Sequence, residues 1–266
     1  MIRWRTLPLI VIGLCLLPGI AWYLQPYTPL SVVVVDKTVP ADDYREHQFF
    51  FWLLGYFKYA VDASEQDYVG FYPPTADGPY SFRYLKPEDL RPMPELLYIA
   101  DTYGVYEADL HGESHISRKL YGGLKAEEVA VIEEYVANGG LLLAEFNTFA
   151  SPTPPAVARR MERILGLDWT GWRGRYFADL TEGIEVPSWI IQNYERERGQ
   201  EWGFSGPGVV LVREDGHIVV MRRAKELTGN LIELQMVDSF HQLWRTRNRT
   251  PFRYWFDIVI PQEGTV

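Results

Sequence analysis

One stretch, Gly139–Pro155 (GGLLLAEFNTFASPTPP), constrains this chain more than any other. Two glycines close a run of helical periodicity, and the short apolar run Leu141–Ala144 follows. That run ends in Glu145, Phe146, Asn147 and Thr148, and Pro154-Pro155 then opens a further helical pattern. Such a run predicts a buried strand whose end turns through a polar elbow. Open α/β folds place their ligand crevices beyond such strand ends.

The remaining pattern extends this reading. Ser31–Val35 contains four consecutive valines and predicts a strand covered on both faces. Leu96–Ala100 predicts a second strand. His47–Tyr59 predicts a deeply buried helix, being aromatic nearly all round. Leu124–Ala137 predicts a helix, with Val129, Ile132 and Val136 at helical spacing and Asn138-Gly139 as its stop. Ala156–Leu165 predicts another, entered through proline and ended by Gly166. Strand–helix–strand–helix with apolar strands predicts a doubly wound, mainly parallel α/β sheet of flavodoxin-like order. Val61–Pro94 reads as irregular chain with one short strand near Tyr68–Tyr72. Downstream, Pro187–Arg198 reads as a short helix, Gly208–Arg213 and His217–Arg222 as a hairpin about Asp215-Gly216, and Leu231–Val237 and Tyr254–Ile260 as strands. The expected organisation is an N-terminal segment over 1–25, an α/β domain over 26–204, and a β-rich extension over 205–266 that completes the same domain or follows it.

At the N-terminus, Arg3 and Arg5 precede Leu7–Leu24, which carries no charged residue. Eighteen residues at the helical rise nearly span a bilayer core, so the segment predicts a transmembrane signal anchor of borderline length. Trp4, Trp22 and Tyr23 suit the interfacial aromatic belts, and the leading arginines orient the N-terminus to the cytoplasm and the body outside it. A cleaved signal peptide ending near Gly19-Ile20-Ala21 is the competing reading. Both readings place the body in a periplasmic or extracellular setting.

The formal net charge of −9 offers no basic footprint for nucleic acid. The single cysteine, Cys15, lies in the apolar segment, which leaves the body without a disulfide, a cysteine metal ligand or a thiol nucleophile. Aromatic residues make up 15% of the chain, enough to supply both a core and rings for stacking on glycans or partners. The runs Tyr68–Tyr84 and Asp168–Tyr176 read as exposed rings, with Trp172 as a ligand-stacking candidate.

The three strands end in acids: Asp36, Asp101 and Glu145. If their C-terminal ends share one crevice, the carboxylates are candidates for acid/base catalysis or for holding a divalent cation such as Mg²⁺ or Ca²⁺. Lys37, Thr102, Tyr103, Asn147 and Thr148 are then candidate ligand-binding neighbours. Acids at these places also cap helices and bind loop amides, which is the competing structural role. His111 and His115 form one i, i+4 pair within LHGESHIS, a weak candidate metal pair.

The segments LLYIADTYG, EEVAVIEEYVANGGLLLAEF and the elbow resemble the class I glutamine amidotransferase-like superfamily over roughly Ser31 to Leu167. In that superfamily a helix ending in Gly-Gly feeds a strand beside the ligand site, and the elbow carries a glycine-flanked cysteine, with a histidine and a glutamate late in the chain. Here the elbow reads Ala144-Glu145-Phe146-Asn147-Thr148, and the late segment VDSFHQ offers His241 without His-Pro-Glu. The resemblance therefore implies the fold and the site but no thiol chemistry. The resulting expectation is a membrane-tethered binding or assembly domain of the cell envelope handling a polysaccharide, with an envelope glycan or a membrane protein as partner. The alternative is a carboxylate- or metal-dependent hydrolase acting on a glycan or ester.

Overall fold

The structure is a computed structural model and describes residues 7–264 except 77, 114–116, 224, 228–231 and 236–248, with side chains described from Ile12 onward. The elements in chain order are α1 (Leu7–Leu24), β1 (Thr28–Leu30), β2 (Val32–Asp36), α2 (Arg45–Tyr56), β3 (Tyr59–Val61), β4 (Val69–Tyr72), β5 (Ser81–Phe82), β6 (Leu96–Asp101), β7 (Val105–Tyr106) and β8 (Lys119–Tyr121). They continue with α3 (Ala126–Ala137), β9 (Leu141–Ala144), α4 (Pro155–Leu165), β10 (Leu167–Phe177), α5 (Ser188–Arg198), β11 (Gly208–Arg213), β12 (Ile218–Arg222), β13 (Ile232–Gln235), β14 (Arg249–Phe252) and β15 (Phe256–Pro261).

The central sheet has the order β5-β4-β2-β6-β9, and only β5 is antiparallel to its neighbour. The parallel strands thus run second, first, third, fourth in chain order, so the direction of winding reverses between β2 and β6. Residue alternation explains why helices cover both faces. Val32, Val34, Leu96 and Tyr98 point to one side, where they pack with Phe50, Phe51 and Leu54 of α2. Val35, Leu97 and Ile99 point to the other, against Val129 and Ile132 of α3 and Val157 and Met161 of α4. The helix α3 stops where the sequence predicts, with Gly139 in the left-handed region at φ 88° and the Gly140 N–H donating to the Tyr135 carbonyl.

Between β2 and β4 the backbones approach closely at Gly70, where a Cβ would lie 1.6 Å from the Asp36 carbonyl oxygen. Gly70→Ala is expected to push the two strands apart at a cost of about 1–3 kcal/mol, the usual range for overpacking. Urea denaturation reads this directly, and an unchanged midpoint would show that β4 shifts freely.

The β-rich part is antiparallel and begins at Leu167, well before Ser205. Its sheet runs β12-β11-β10-β15, with β10 pairing both β11 and β15. The hairpin of β11 and β12 lies as the sequence predicts. The strand β10 itself is not legible, because LDWTGWRGRYF lacks alternation. A bulge between Trp169 and Arg173, with Gly171 at φ 80°, breaks its register. Gly174 gives way to two neighbours, since a Cβ there would meet the Phe256 ring at 2.4 Å and Leu211 at 2.7 Å.

The helix α1 occupies the segment expected to anchor the chain, and its 18 residues include Pro18. Among the described residues, however, no helix is long and apolar enough to cross a membrane. The 18 residues of α1 rise about 27 Å, a little less than the roughly 30 Å of a bilayer core. Residues 12–24 are exposed throughout and pack on the body only through the last turn.

Candidate functional site

The ends of β2, β6 and β9 surround a crevice of about 500 Å³. From these ends it takes Thr38, Asp101, Tyr103, Glu145, Phe146 and Asn147, and from other elements Arg45, Glu46, Arg173, Trp189, Phe252, Tyr254 and Trp255. Its position at the reversal of strand order is the one that the doubly wound architecture favours for ligands, because the loops leaving β2 and β6 diverge there.

Asp101 forms the floor and is 8% exposed. Its Oδ1 accepts from Thr38 Oγ1 at 2.9 Å and from the Tyr103 N–H at 2.6 Å, while Oδ2 accepts from Asn147 Nδ2 at 3.1 Å. Burial raises its pKa to about 7 despite these three donors, which pull the other way. Thr38 Oγ1 in turn accepts from the Gly104 N–H at 2.9 Å, so the loops after β2 and β6 are tied through this one hydroxyl.

Asn147 is the elbow residue. Its φ of 70° places it in the left-handed region, whereas Phe146 does not carry this conformation. This left-handed turn after β9 directs the Asn147 carboxamide onto Asp101 rather than outward. The Asn147 carbonyl accepts from Thr102 Oγ1 at 2.7 Å, and its N–H donates to Asp257 Oδ2 at 3.3 Å. Its Oδ1 is buried without a hydrogen-bond partner among the described residues, as is Asp257 Oδ1. Burial raises the Asp257 pKa to about 6, against the opposing pull of the Asn147 N–H and the Arg173 charge.

One wall is aromatic. Phe146 and Trp255 stack at 6.1 Å with an 11° interplanar angle, and Trp189 and Trp255 at 6.4 Å with 18°. Three nearly parallel rings therefore border the polar floor. On the α2 side, Glu46 has its pKa raised by burial against the opposing charge of Arg45, whose Nε donates to it at 2.8 Å.

Of the three sequence-predicted carboxylates, Asp101 and Glu145 line the crevice and Asp36 does not. Glu145 is exposed and accepts from Tyr98 OH at 2.5 Å. Asp36 is fully buried, its Oδ2 2.6 Å from His47 Nδ1 and its Oδ1 accepting from the Thr38 N–H at 2.9 Å. The expected three-carboxylate cation site is thus not assembled: among the described residues, no group of three His, Cys, Asp or Glu is placed to hold a metal ion.

Of the ligand-binding candidates, Tyr103 and Asn147 line the crevice. Lys37 instead points into the core, its Nζ 2.6 and 2.8 Å from the two Glu128 oxygens. Thr102 and Thr148 are buried and donate to the Asn147 and Glu145 carbonyls. Trp172 packs against Arg213 and His217, away from the crevice. The run Tyr68–Tyr84 divides: Tyr68 and Phe71 are buried, whereas Tyr80 and Phe82 are exposed. His111 ends a short 3₁₀ turn (Ala108–His111) before Gly112 at φ 67°, so the helix ends at once after it. His115 and His241 lie outside the described residues.

Sequence reasoning missed Arg173, Trp189 and Trp255, which reach the crevice from the antiparallel sheet, from α5 and from the segment before β15. Trp189 beside Pro187 and Trp255 beside Tyr254 were visible only as aromatic content. No family model, curated protein or solved structure matches the chain.

Proposed function

We propose that the protein is a membrane-tethered extracytoplasmic binding or assembly domain of the cell envelope. Its crevice takes a glycan segment, on an amidotransferase-like fold without thiol chemistry. The observation that carries this reading is the Phe146–Trp255–Trp189 stack facing the Asp101–Asn147 floor. Flat rings pack on the apolar faces of sugars, while exposed acceptors at the crevice such as the Glu145 carboxyl take hydroxyl or amide donors. The uncharged helix α1 supports the tether, and the arginines preceding it support the orientation. The test is titration of the full chain in detergent with neutral and acetamido oligosaccharides, followed by calorimetry. Trp255→Ala is expected to weaken the binding about tenfold, the equivalent of about 1.4 kcal/mol. If no oligosaccharide binds, the glycan reading is wrong.

The raised Asp101 pKa favours a second reading, a carboxylate-dependent hydrolase. An acid that keeps its proton near neutrality can protonate a leaving group while Glu145 serves as the second carboxyl. This reading expects turnover of a glycan or ester that falls as pH rises through about 7, and that is abolished in Asp101→Asn. A rate independent of pH across that value rules out Asp101 as the acid.

A further inference from the structure

The outer face of α2 is a ladder of exposed rings. Phe49, Trp52 and Tyr56 follow one another at i, i+3 and i+7, stacking at 5.3 and 5.6 Å, and are 64, 58 and 51% exposed. Phe57 extends the face at 58%. The other side of the helix packs on the body through buried His47 and half-buried Phe50, Phe51 and Leu54, so the core does not account for these rings.

The ladder meets the end of α1. Trp22 Nε1 donates to the Tyr56 carbonyl at 2.8 Å, and the two rings lie 5.8 Å apart. Lys58 locks the junction. It is 4% exposed, sits in the left-handed region at φ 64°, and places its Nζ 3.9 Å from the Trp22 ring, 4.6 Å from Tyr27 and 6.0 Å from Tyr23. A cation enclosed by three rings is a stiff contact once desolvated. The helix α1 is therefore joined to the body at a fixed place, next to a helix that exposes aromatic rings in sequence.

We propose that the α2 face docks on the lipid surface, with Phe49, Trp52, Tyr56 and Phe57 in the headgroup region of the leaflet from which α1 emerges. This rests on the membrane tether proposed above and goes beyond it, because it makes α1 and α2 one membrane-facing unit. Continuity argues for lipid as the occupant. If Trp22 marks the interface, Tyr56 and Phe57 stand at the same level. Phe49 lies only about 10 Å further along the helix, within reach of the surface when α2 lies along it. Tryptophan and tyrosine favour that layer because an apolar ring and a polar edge are satisfied there together.

The test uses the full chain with Cys15→Ser and one new cysteine at a time, Phe49→Cys, Trp52→Cys or Glu134→Cys, each labelled with a polarity-sensitive fluorophore. The labelled chains are reconstituted into phosphatidylcholine vesicles with and without a doxyl-labelled lipid, and flotation is scored separately. Labels at 49 and 52 are expected to be quenched at least twofold more than the label at 134 on α3. Equal quenching at all three positions in a chain that floats overturns the docking while leaving the tether standing, and points to a protein partner for the face. A chain that fails to float overturns the tether and the docking with it.

Discussion

Replacing Glu128 by alanine is expected to destabilise the protein by about 3–5 kcal/mol, the cost of leaving one member of a buried ion pair alone. Lys37 and Glu128 are 0 and 1% exposed, and both Glu128 oxygens accept from Lys37 Nζ. The same carboxylate accepts from the Leu85 N–H at 3.1 Å and from the Lys125 N–H at 2.9 Å, so it also closes the first turn of α3. Burial lowers the Lys37 pKa, and Glu128 opposes that effect. Without Glu128, the amine is left among the Tyr84 and Tyr121 rings, 5.2 and 5.0 Å from its Nζ. The double variant Lys37→Met with Glu128→Gln is expected to recover part of the loss, because no buried charge remains and the amide oxygen still accepts from one of the two backbone N–H groups. Urea denaturation of the wild type, of Lys37→Met and Glu128→Gln singly and of the double variant gives the coupling, and Glu128→Ala gives the loss. A Glu128→Ala variant within about 1 kcal/mol of wild type would sink the argument.

The second large effect concerns Asp36 and His47. His47 Nε2 lies 2.8 Å from the Glu65 carbonyl, which can only accept, so Nε2 carries a proton. Nδ1 faces the Asp36 carboxyl at 2.6 Å, so below its raised pKa the ring carries a second proton and forms a buried imidazolium–carboxylate pair. Burial alone lowers the His47 pKa, but the Asp36 hydrogen bond and charge together outweigh it, and the net shift is upward. A raised folded pKa contributes stability that is fully present below the unfolded value of about 6.5. That stability is lost as pH rises through the higher folded value.

Asp36→Ala is expected to cost about 3–5 kcal/mol near pH 6, since it strands the imidazolium. Asp36→Asn is expected to cost less and to remove the His47 part of the pH dependence. Its carboxamide can donate to a neutral Nδ1 while its oxygen still accepts from the Thr38 N–H. Asp101, also raised, loses stability in the same direction as pH climbs toward about 7, so the comparison belongs in an Asp101→Asn background. Unfolding free energies at about pH 5.5 and about pH 8.5, on either side of the histidine range, check this. An Asp36→Asn variant that keeps the full slope would contradict the assignment of His47.

Local chemistry explains how much of the fold was legible. The valine run and LLYIA are apolar on both faces, the pattern of strands covered by helices, whereas LLLA, expected to be buried, ends the sheet as an edge strand with Leu141 and Leu143 exposed. Asn138-Gly139 and Gly166 end helices through their own backbone freedom, which needs no tertiary partner. The strand β10 escaped because its bulge and two glycines disguise it. Its partner β15 lies far along the chain, and Gly174 is required only once Phe256 packs over it.

The crevice was half legible for the same reason. Strand-end acids mark the carboxyl edge of a parallel sheet, and two of the three do reach it. Which way each acid turns depends on contacts across the chain. The register shift between β2 and β6 sets Asp36 opposite Asp101, and His47 from α2 captures the first while the crevice keeps the second. The aromatic wall comes from segments well beyond the elbow, brought there by the antiparallel sheet and α5.

By itself the sequence determined the alternation of strands and helices, the uncharged N-terminal helix, the want of a thiol in the body and the polar elbow, because each follows from neighbours along the chain. Only the tertiary structure decided that Lys37 is a core cation, that Asp36 belongs to His47, that Asn147 holds the strained elbow with an unpartnered oxygen, and that Trp189 and Trp255 complete the crevice. Those outcomes depend on which distant side chains meet, and burial fixes their charge and hydrogen bonding only after they have met.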